Sequence, residues 1–290
     1  MMYVHCVSSV NIKKDQDVDV KAECKKVAPS FIRRTDRFIQ LGLLGVYGIK
    51  EQQEVDKDTA LFMVSGQGDL SVFNRLCQQR YVEEVPPKPV DFINSLSNTS
   101  GFYIAKFLGL ESKNLNLAQQ GFVVENALLL ADASLRNQQE KSILLGGVDE
   151  RVEQSSDPHG YLDLSEDTEI GEGSNWMLLS ASKSGAKARI DVLPQQFDQQ
   201  SLLAYVTSLL TTQAFFATHV AFGQRVSNDL ITCVMDVVPS ELFDCQPVCD
   251  FYETNQLYAL NLFIEEQRGS LLFIDGFEGK YRVITLTLEL

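Results

Sequence analysis

The chain has 290 residues, of which 44% are hydrophobic and 22% are charged. This composition is sufficient to bury a sizeable core, and it excludes an intrinsically disordered protein. Lys and Arg number 25 against 39 Asp and Glu, which gives a formal net charge of −14 and argues against binding to nucleic acids or anionic membranes, because both expose phosphates.

In the first part of the chain, predicted strands alternate with predicted helices. Residues 2–10 predict a first strand, and the charged run Arg33–Arg37 leads into an apolar helical stripe that reaches Leu43. The later strands are expected at Thr59–Val64, Asn114–Leu117, Lys141–Gly147 and Trp176–Leu179. The later helices are expected around Phe102–Leu108 and Val123–Leu135.

The second part continues in the same way. Helices are predicted at Gln199–Ala214 and Leu257–Glu266, and strands at Asp229–Val238, 271–275 and 281–290. The alternation over the whole chain predicts an α/β protein with largely buried sheets.

Targeting, membrane and disulfide signals are missing from the sequence. Residues Met1–Val7 predict a strand rather than a secretory leader, and the apolar run Ala127–Ala131 is far shorter than a membrane span. The six cysteines form no CxxC pair, and Cys245 and Cys249 have no histidine nearby in sequence. We therefore expect a cytoplasmic protein with reduced cysteines, no metal and no membrane insertion.

Common catalytic and cofactor motifs are also missing. Ser65–Gly68 follows a predicted strand but lacks the third glycine of a dinucleotide site, and the sequence contains neither GxxxxGK[ST] nor GxSxG. The histidines His5, His159 and His219 stand far apart in sequence. The residues alone thus predict no cofactor and reveal no catalytic set.

Six segments, taken in chain order, resemble the β-ketoacyl synthases of the thiolase-like fold. They are Arg33–Arg37, Asn98 with Leu108–Leu110, Gly146–Glu150 (GGVDE), Leu164–Ser174 continuing into Trp176–Leu179, Ala186–Arg189, and Gly276–Gly279 (GFEG). The resemblance implies two related βαβαβαββ halves in an α-β-α-β-α layering. It implies one domain over residues 1–290, with halves at 1–180 and 181–290, shortened around 151–160 and 190–230.

Active synthases use a cysteine at a strand-to-helix turn and two histidines, and the resemblance places none of them here. The nucleophile position falls on Gly121, or on Gln120 with a one-residue shift. The region of the first histidine falls on Ile231–Pro239, which contains no His, and the second histidine position falls on Asn255. A chain without this Cys-His-His set is expected to be a pseudoenzyme.

Chain length factors are similar to ketosynthases, lack the nucleophile and pair with an active synthase. The resemblance therefore implies a non-catalytic chain length factor of type II polyketide biosynthesis, with the aryl polyene systems as a narrower prediction. The active synthase would be the partner in a heterodimer. Acyl carrier protein is acidic and would dock on that partner, since this chain carries −14. The expected interface and tunnel residues are Phe92, Asn98, Phe102, Gln119, Gln120 and Phe122.

Two other functions stay open at this point. The first is an enzyme that hydrolyses acyl thioesters with Asn255 and Asp236. The second is a stand-alone dimeric scaffold or binding module with no preference for a synthase. The absent Cys-His-His set argues against the enzyme but does not separate the other two possibilities.

Overall fold

Strands and helices alternate along the chain, as the sequence predicts. The structure is a computed structural model that describes residues 1–152, 157–212 and 215–289. Its strands are β1 (Met2–Ile12), β2 (Ala60–Ser65), β3 (Asn114–Ala118), β4 (Ser142–Asp149), β5 (Glu172–Ser180), β6 (Ala188–Val192), β7 (His219–Phe222), β8 (Glu241–Leu242), β9 (Ser270–Phe277) and β10 (Lys280–Leu288). Its α-helices are α1 (Val20–Val27), α2 (Arg37–Gln52), α3 (Leu70–Tyr81), α4 (Pro89–Asn94), α5 (Ser97–Leu108), α6 (Val123–Arg136), α7 (Pro158–Leu162), α8 (Gln199–Thr212), α9 (Asn228–Val237) and α10 (Asn255–Glu266).

The sheet consists of two repeats of the same topology. Its order is β3-β2-β4-β5-β1-β6-β10-β9-β7-β8, so each half places its strands in the order third, second, fourth, fifth, first. The fifth strand of each half runs antiparallel to both neighbours. The halves meet where β1 pairs with β6, from Met2 opposite Ile190 to Val4 opposite Ala188. The two related halves expected from the resemblance are therefore present, and residue 180 lies at the end of β5.

Alternation of side chains along the strands produces five layers. On β2, Phe62 and Val64 face a central core that contains α6 and α10, whereas Leu61 and Met63 face an outer core with α2. The second half covers its outer face with α8 and α9. A strand buried on both faces requires apolar residues at successive positions, as in Ala60–Ser65. This layering confirms the predicted α-β-α-β-α arrangement and places the first turns of α6 and α10 inside the molecule.

One expected element differs from the structure. Asp229–Val238, predicted as a strand, belongs to helix α9, whose buried Leu230 and Val234 lie one helical turn apart. Ser227 caps this helix by accepting a hydrogen bond from the Leu230 amide at 3.4 Å. The β-branched run had favoured a strand by local propensity, but tertiary packing on one face favours the helix. The strand of this region is β7.

Some expectations reach beyond the described residues. The predicted helix Gln199–Ala214 is described as far as Thr212, and residues 213–214 lie outside the described part. The expected shortenings around 151–160 and 190–230 include residues 153–156 and 213–214, and the last predicted strand includes residue 290. In the ranges that are described, the helices fall short of the length and apolar character needed to cross a bilayer.

Candidate functional site

The strand-to-helix turn between β3 and α6, here called the elbow, contains the predicted nucleophile position. Its last two residues, Gly121 (φ +67°) and Phe122 (φ +54°), both adopt the left-handed conformation. A side chain at Gly121 would overlap the ring of Phe277. A nucleophile here would benefit from the N-terminus of α6, but the structure leaves no room for one.

A buried ion pair between Arg225 and Glu253 binds the backbone of the elbow. The Gly121 amide donates to Oε1 of Glu253 at 2.5 Å. Arg225 binds the same carboxylate with both ends of its guanidinium, Nη1 to Oε1 at 2.8 Å and Nη2 to Oε2 at 2.9 Å. The side chains of Arg225 and Glu253 are 6% and 0% exposed. A bidentate pair of this kind is strong and directional, and each charge compensates the other in the interior.

Aromatic rings enclose this ion pair. The Arg225 guanidinium lies 4.7 Å from the ring centre of Phe251 and 4.9 Å from that of Phe277. Phe277 in turn packs edge-to-face on Phe122 at 6.3 Å. Phe277 belongs to the Gly276–Gly279 segment noted in the sequence, which forms the turn between β9 and β10. Cation–π contacts and ring packing therefore fix the ion pair and fill the space around the elbow.

The two predicted histidine regions lie as follows. Ile231–Pro239 falls mainly on α9 rather than in a loop, so this alignment is wrong; the loop after strand β7 is Gly223–Ser227, and it carries Arg225. Asn255 begins α10, is 8% exposed and lines a narrow cavity with Gln224 and Ala259. Arg225 was missed because its partner Glu253 is distant in sequence, and no motif links them.

The side chains of the three histidines contact residues other than those of the elbow. Nε2 of His5 is hydrogen-bonded to Oγ of Ser180 at 2.8 Å, and Nε2 of His159 lies 2.9 Å from the Thr168 carbonyl. His219 packs against Phe263. Within the described ranges, no cluster of three His, Cys, Asp or Glu residues could hold a metal ion.

Asp149, from the GGVDE segment, connects the elbow region to β2. It accepts hydrogen bonds from Oγ of Ser65 at 2.7 Å and from the amides of Gly66 at 2.8 Å and Thr254 at 2.9 Å. Burial raises the pKa of Asp149 to about 7, and the charge of Glu253 adds to that rise. The carboxylate therefore joins the end of β2 to the start of α10, which is a structural role.

Two buried carboxyl groups, Glu125 and Asp275, lie at the first turn of α6. Burial raises the pKa of Glu125 well above its usual range, and the neighbouring Asp275 acts in the same direction. Burial also raises the pKa of Asp275 to about 6, although Gln256 donates a hydrogen bond to it at 2.9 Å. Burial and the charge of Asp275 both favour the neutral form of Glu125, because a buried charge is costly and two negative charges repel each other. Acidic groups, rather than a thiol and imidazoles, thus surround the elbow.

The predicted interface residues fall into two groups. Phe92 and Phe102 are 58% and 54% exposed on α4 and α5, and Asn98 and Gln119 are also exposed. The other two belong to the elbow: Phe122 is buried at 5% exposure, and half-buried Gln120 donates to the Tyr161 carbonyl at 3.3 Å.

The outward-facing group belongs to a larger surface that the sequence had not indicated. We call it the apolar face and define it by the exposed side chains Phe73, Phe92, Ile93, Leu96 and Phe102. It lies beside β3, which pairs with β2 on one side and forms the outer edge of the sheet. A cavity of about 340 Å³ between β3, Phe73 and Leu96 opens there.

Comparison with known proteins supports the fold. No family model and no curated protein matches the chain. Among solved structures, the chain is similar to the ishigamide ketosynthase/chain length factor (TM-score 0.75, 15% identity, 99% of each chain covered). It is also similar to a structure of the ketosynthase ApeO with its chain length factor ApeC from Xenorhabdus doucetiae (TM-score 0.70, 11% identity, 99% and 98% covered).

A third similar structure is AntDE:AntF, a type II polyketide acyl-carrier protein in complex with its ketosynthase (TM-score 0.69, 10% identity, 99% and 98% covered). At these identities the likeness establishes the fold, and that fold is the thiolase-like one expected from the sequence.

Proposed function

We propose that this chain is a non-catalytic, ketosynthase-like subunit. It pairs with an active β-ketoacyl-acyl carrier protein synthase and shapes the acyl tunnel of that synthase. The observation that carries the proposal is the closed elbow, where Gly121, one of the two positions predicted for the nucleophile, is bound by the buried Arg225–Glu253 pair. The similar structures include ketosynthases bound to chain length factors, which supports this role. The aryl polyene systems and a cytoplasmic location remain the narrower predictions.

The apolar face and the edge of β3 are the proposed contact with the synthase. An exposed sheet edge beside large apolar side chains favours association, because both features are unfavourable in water. Phe92, Asn98, Phe102 and Gln119 would contact the partner directly, whereas Gln120 and Phe122 support the turn behind them. The cavity between Phe73, Leu96 and β3 would then face the shared interface, where it can accept the end of an acyl chain.

The test is co-expression with a candidate active β-ketoacyl synthase from the same genome, followed by size-exclusion chromatography with light scattering. We expect a 1:1 complex and a higher soluble yield than for the chain alone. The double substitution Phe92→Ser/Phe102→Ser should abolish the complex, whereas Phe216→Ser, at a side chain that is 68% exposed outside the apolar face, should leave it intact. A homodimer that ignores the synthase would contradict the proposal and favour a stand-alone scaffold.

The two residues of the thioesterase alternative, Asp236 and Asn255, do not share a site. Asp236 is exposed on α9 in the outer layer, whereas Asn255 begins α10 in the central layer. We expect the isolated chain to hydrolyse acyl thioesters no faster than buffer. Hydrolysis that is lost on Asn255→Ala would overturn the non-catalytic role.

A further inference from the structure

Two aspartates that begin neighbouring helices lie side by side in the first half of the molecule. Asp36 precedes α2, and its Oδ1 accepts a hydrogen bond from the Ile39 amide at 3.2 Å. Asp69 precedes α3, and its Oδ1 accepts one from the Val72 amide at 3.1 Å. Each aspartate thus caps its own helix with one carboxyl oxygen. We call Asp36 and Asp69 together the cap pair.

The second oxygen of each carboxyl group has no ordinary donor. Oδ2 of Asp36 and Oδ2 of Asp69 are both buried, and no N–H or O–H group of a described residue donates to either of them. The two carboxyl groups nevertheless lie within hydrogen-bonding range of each other. Two ionised carboxylates can only accept hydrogen bonds, so this contact is satisfied when one of them carries a proton.

Acidic groups on the inner side of the cap pair favour retention of that proton. Glu150, directly after β4, is 5% exposed and accepts from the Ser71 amide at 2.7 Å. Glu172 of β5 is bound by Arg37. On the outer side, the charged residues that line one cavity with Asp36 are Asp19, Lys21, Arg33, Arg34, Arg37, Arg75 and Asp91. Burial raises the pKa of Asp69 to about 10, and both the Asp36 side chain and the charge of Glu150 act in the same direction.

We infer that Asp36 and Asp69 share one proton, and that the resulting hydrogen bond holds the start of α3 against the start of α2. A hydrogen bond between a carboxylic acid and a carboxylate is charge-assisted and therefore short and strong. Loss of the proton would leave two negative charges in contact, which would repel each other and separate the two helix starts. This inference goes beyond the proposed function and does not depend on it.

The contact has a consequence for the surface nearby. Asp69, Leu70 and Phe73 line the cavity of about 340 Å³ that opens beside β3, and Phe73 belongs to the apolar face. The position of α3 relative to α2 therefore fixes one wall of this cavity. A proton shared in the interior thus helps to shape a surface that is exposed to the solvent.

The test is the substitution Asp69→Asn in the full chain. The side-chain amide oxygen of the variant can still cap α3, while its N–H group can donate to Asp36, so the contact no longer requires a proton. Urea denaturation followed by circular dichroism gives the equilibrium constant of folding between about pH 6 and about pH 9. A uniform loss of stability in the variant would change this constant by the same factor at every pH.

The expected result is a difference in pH dependence. In the unfolded chain Asp69 releases its proton above its ordinary pKa of 3.8, whereas in the folded chain it keeps the proton up to about pH 10. The unsubstituted chain therefore takes up one proton on folding across the measured range. Its folding constant should fall about tenfold per pH unit relative to that of Asp69→Asn.

Two further variants separate the shared proton from helix capping. Asp36→Asn should remove the same pH dependence, because either residue can supply the donor. The control Asp19→Asn alters the cap of α1, where exposed Asp19 accepts from the Ala22 amide at 2.9 Å. It should change the folding constant less than about twofold, with no trend in pH.

Three results would overturn the inference. The first is a ratio of folding constants between the unsubstituted chain and Asp69→Asn that is independent of pH or rises with it. The second is a pH dependence that persists in Asp36→Asn, which would show that the proton on Asp69 does not depend on its neighbour. The third is the same trend in Asp19→Asn, which would assign the effect to capping in general.

Discussion

The elbow and the apolar face reverse the usual distribution of polar and apolar groups. At the elbow an arginine and a glutamate are buried among aromatic rings, whereas on α3 to α5 large apolar side chains face the solvent. Buried charge that is fully paired gives a rigid interior, and exposed apolar surface favours association. The residues around the elbow therefore contribute to the stability of the fold, whereas the apolar face is the surface that we propose for a partner.

The largest expected effect comes from breaking the buried ion pair. Glu253→Ala leaves the Arg225 guanidinium uncompensated and removes the acceptor of the Gly121 amide, so we expect the free energy of unfolding to fall by about 3–5 kcal/mol. Urea denaturation followed by circular dichroism measures it. The control Glu111→Ala breaks the exposed pair with Lys57 and should change the free energy of unfolding little, because solvent screens this pair. Equal losses in the two variants would show that the elbow pair has no special role.

A smaller effect is expected from placing a side chain in the elbow. Gly121→Cys combines a left-handed backbone with an overlap on Phe277, so we expect a loss of about 2 kcal/mol in unfolding free energy. The variant should also show no condensing activity with acyl and malonyl thioesters, because neither the loop Gly223–Ser227 nor position 255 carries a histidine.

Gly68 provides a matched control for that substitution. It has the same φ of +67°, but an added Cβ would meet nothing within 4 Å. Gly68→Cys therefore reports the backbone cost alone, about 1 kcal/mol. If Gly121→Cys were no more destabilising than Gly68→Cys, the enclosure of the elbow by Phe277 would be wrong.

The next prediction concerns pH. Burial raises the pKa of Asp149 from 3.8 to about 7, so the folded state binds a proton that the unfolded state has released between these values. The contribution of Asp149 therefore lowers stability progressively from pH 3.8 towards pH 7 and is constant above. Asp149→Asn should lack this slope, so in urea denaturation at a series of pH values the unfolding free energy of the unsubstituted chain minus that of the variant should fall from pH 3.8 towards pH 7. A difference that grows in the opposite direction would show that hydrogen bonds from Ser65, Gly66 and Thr254 outweigh burial.

The smallest effect on stability is expected at the apolar face. Phe92→Ser/Phe102→Ser removes exposed side chains, so the unfolding free energy of the isolated chain should change by less than about 0.5 kcal/mol. The same double substitution should abolish pairing with the synthase, as described above. A loss of stability comparable to that of Glu253→Ala would mean that these rings belong to the core, and the contrast between the two regions would no longer hold.

Much of the fold could be predicted because it depends on local periodicity and on the order of short segments. Ala60–Ser65 and Val123–Arg136 have patterns that suit a buried strand and an amphipathic helix, and the ordered segments from Arg33–Arg37 to Gly276–Gly279 resembled one fold. Asp229–Val238 was mispredicted because β-branched residues favour a strand locally, while burial of one face decided for helix α9.

The sequence by itself determined the alternation of strands and helices and the lack of a cysteine at the elbow, since both follow from residue types at given positions, and the two related halves followed from the resemblance. Only the tertiary structure decided what occupies the elbow, because Gly121, Arg225 and Glu253 lie on separate elements and meet through the packing of the two halves. The same holds for the basic side chains of α1, of the 3₁₀ helix Ile32–Arg34 and of α3, which line one cavity. Composition reports the sum of the charges, and folding determines where they are concentrated.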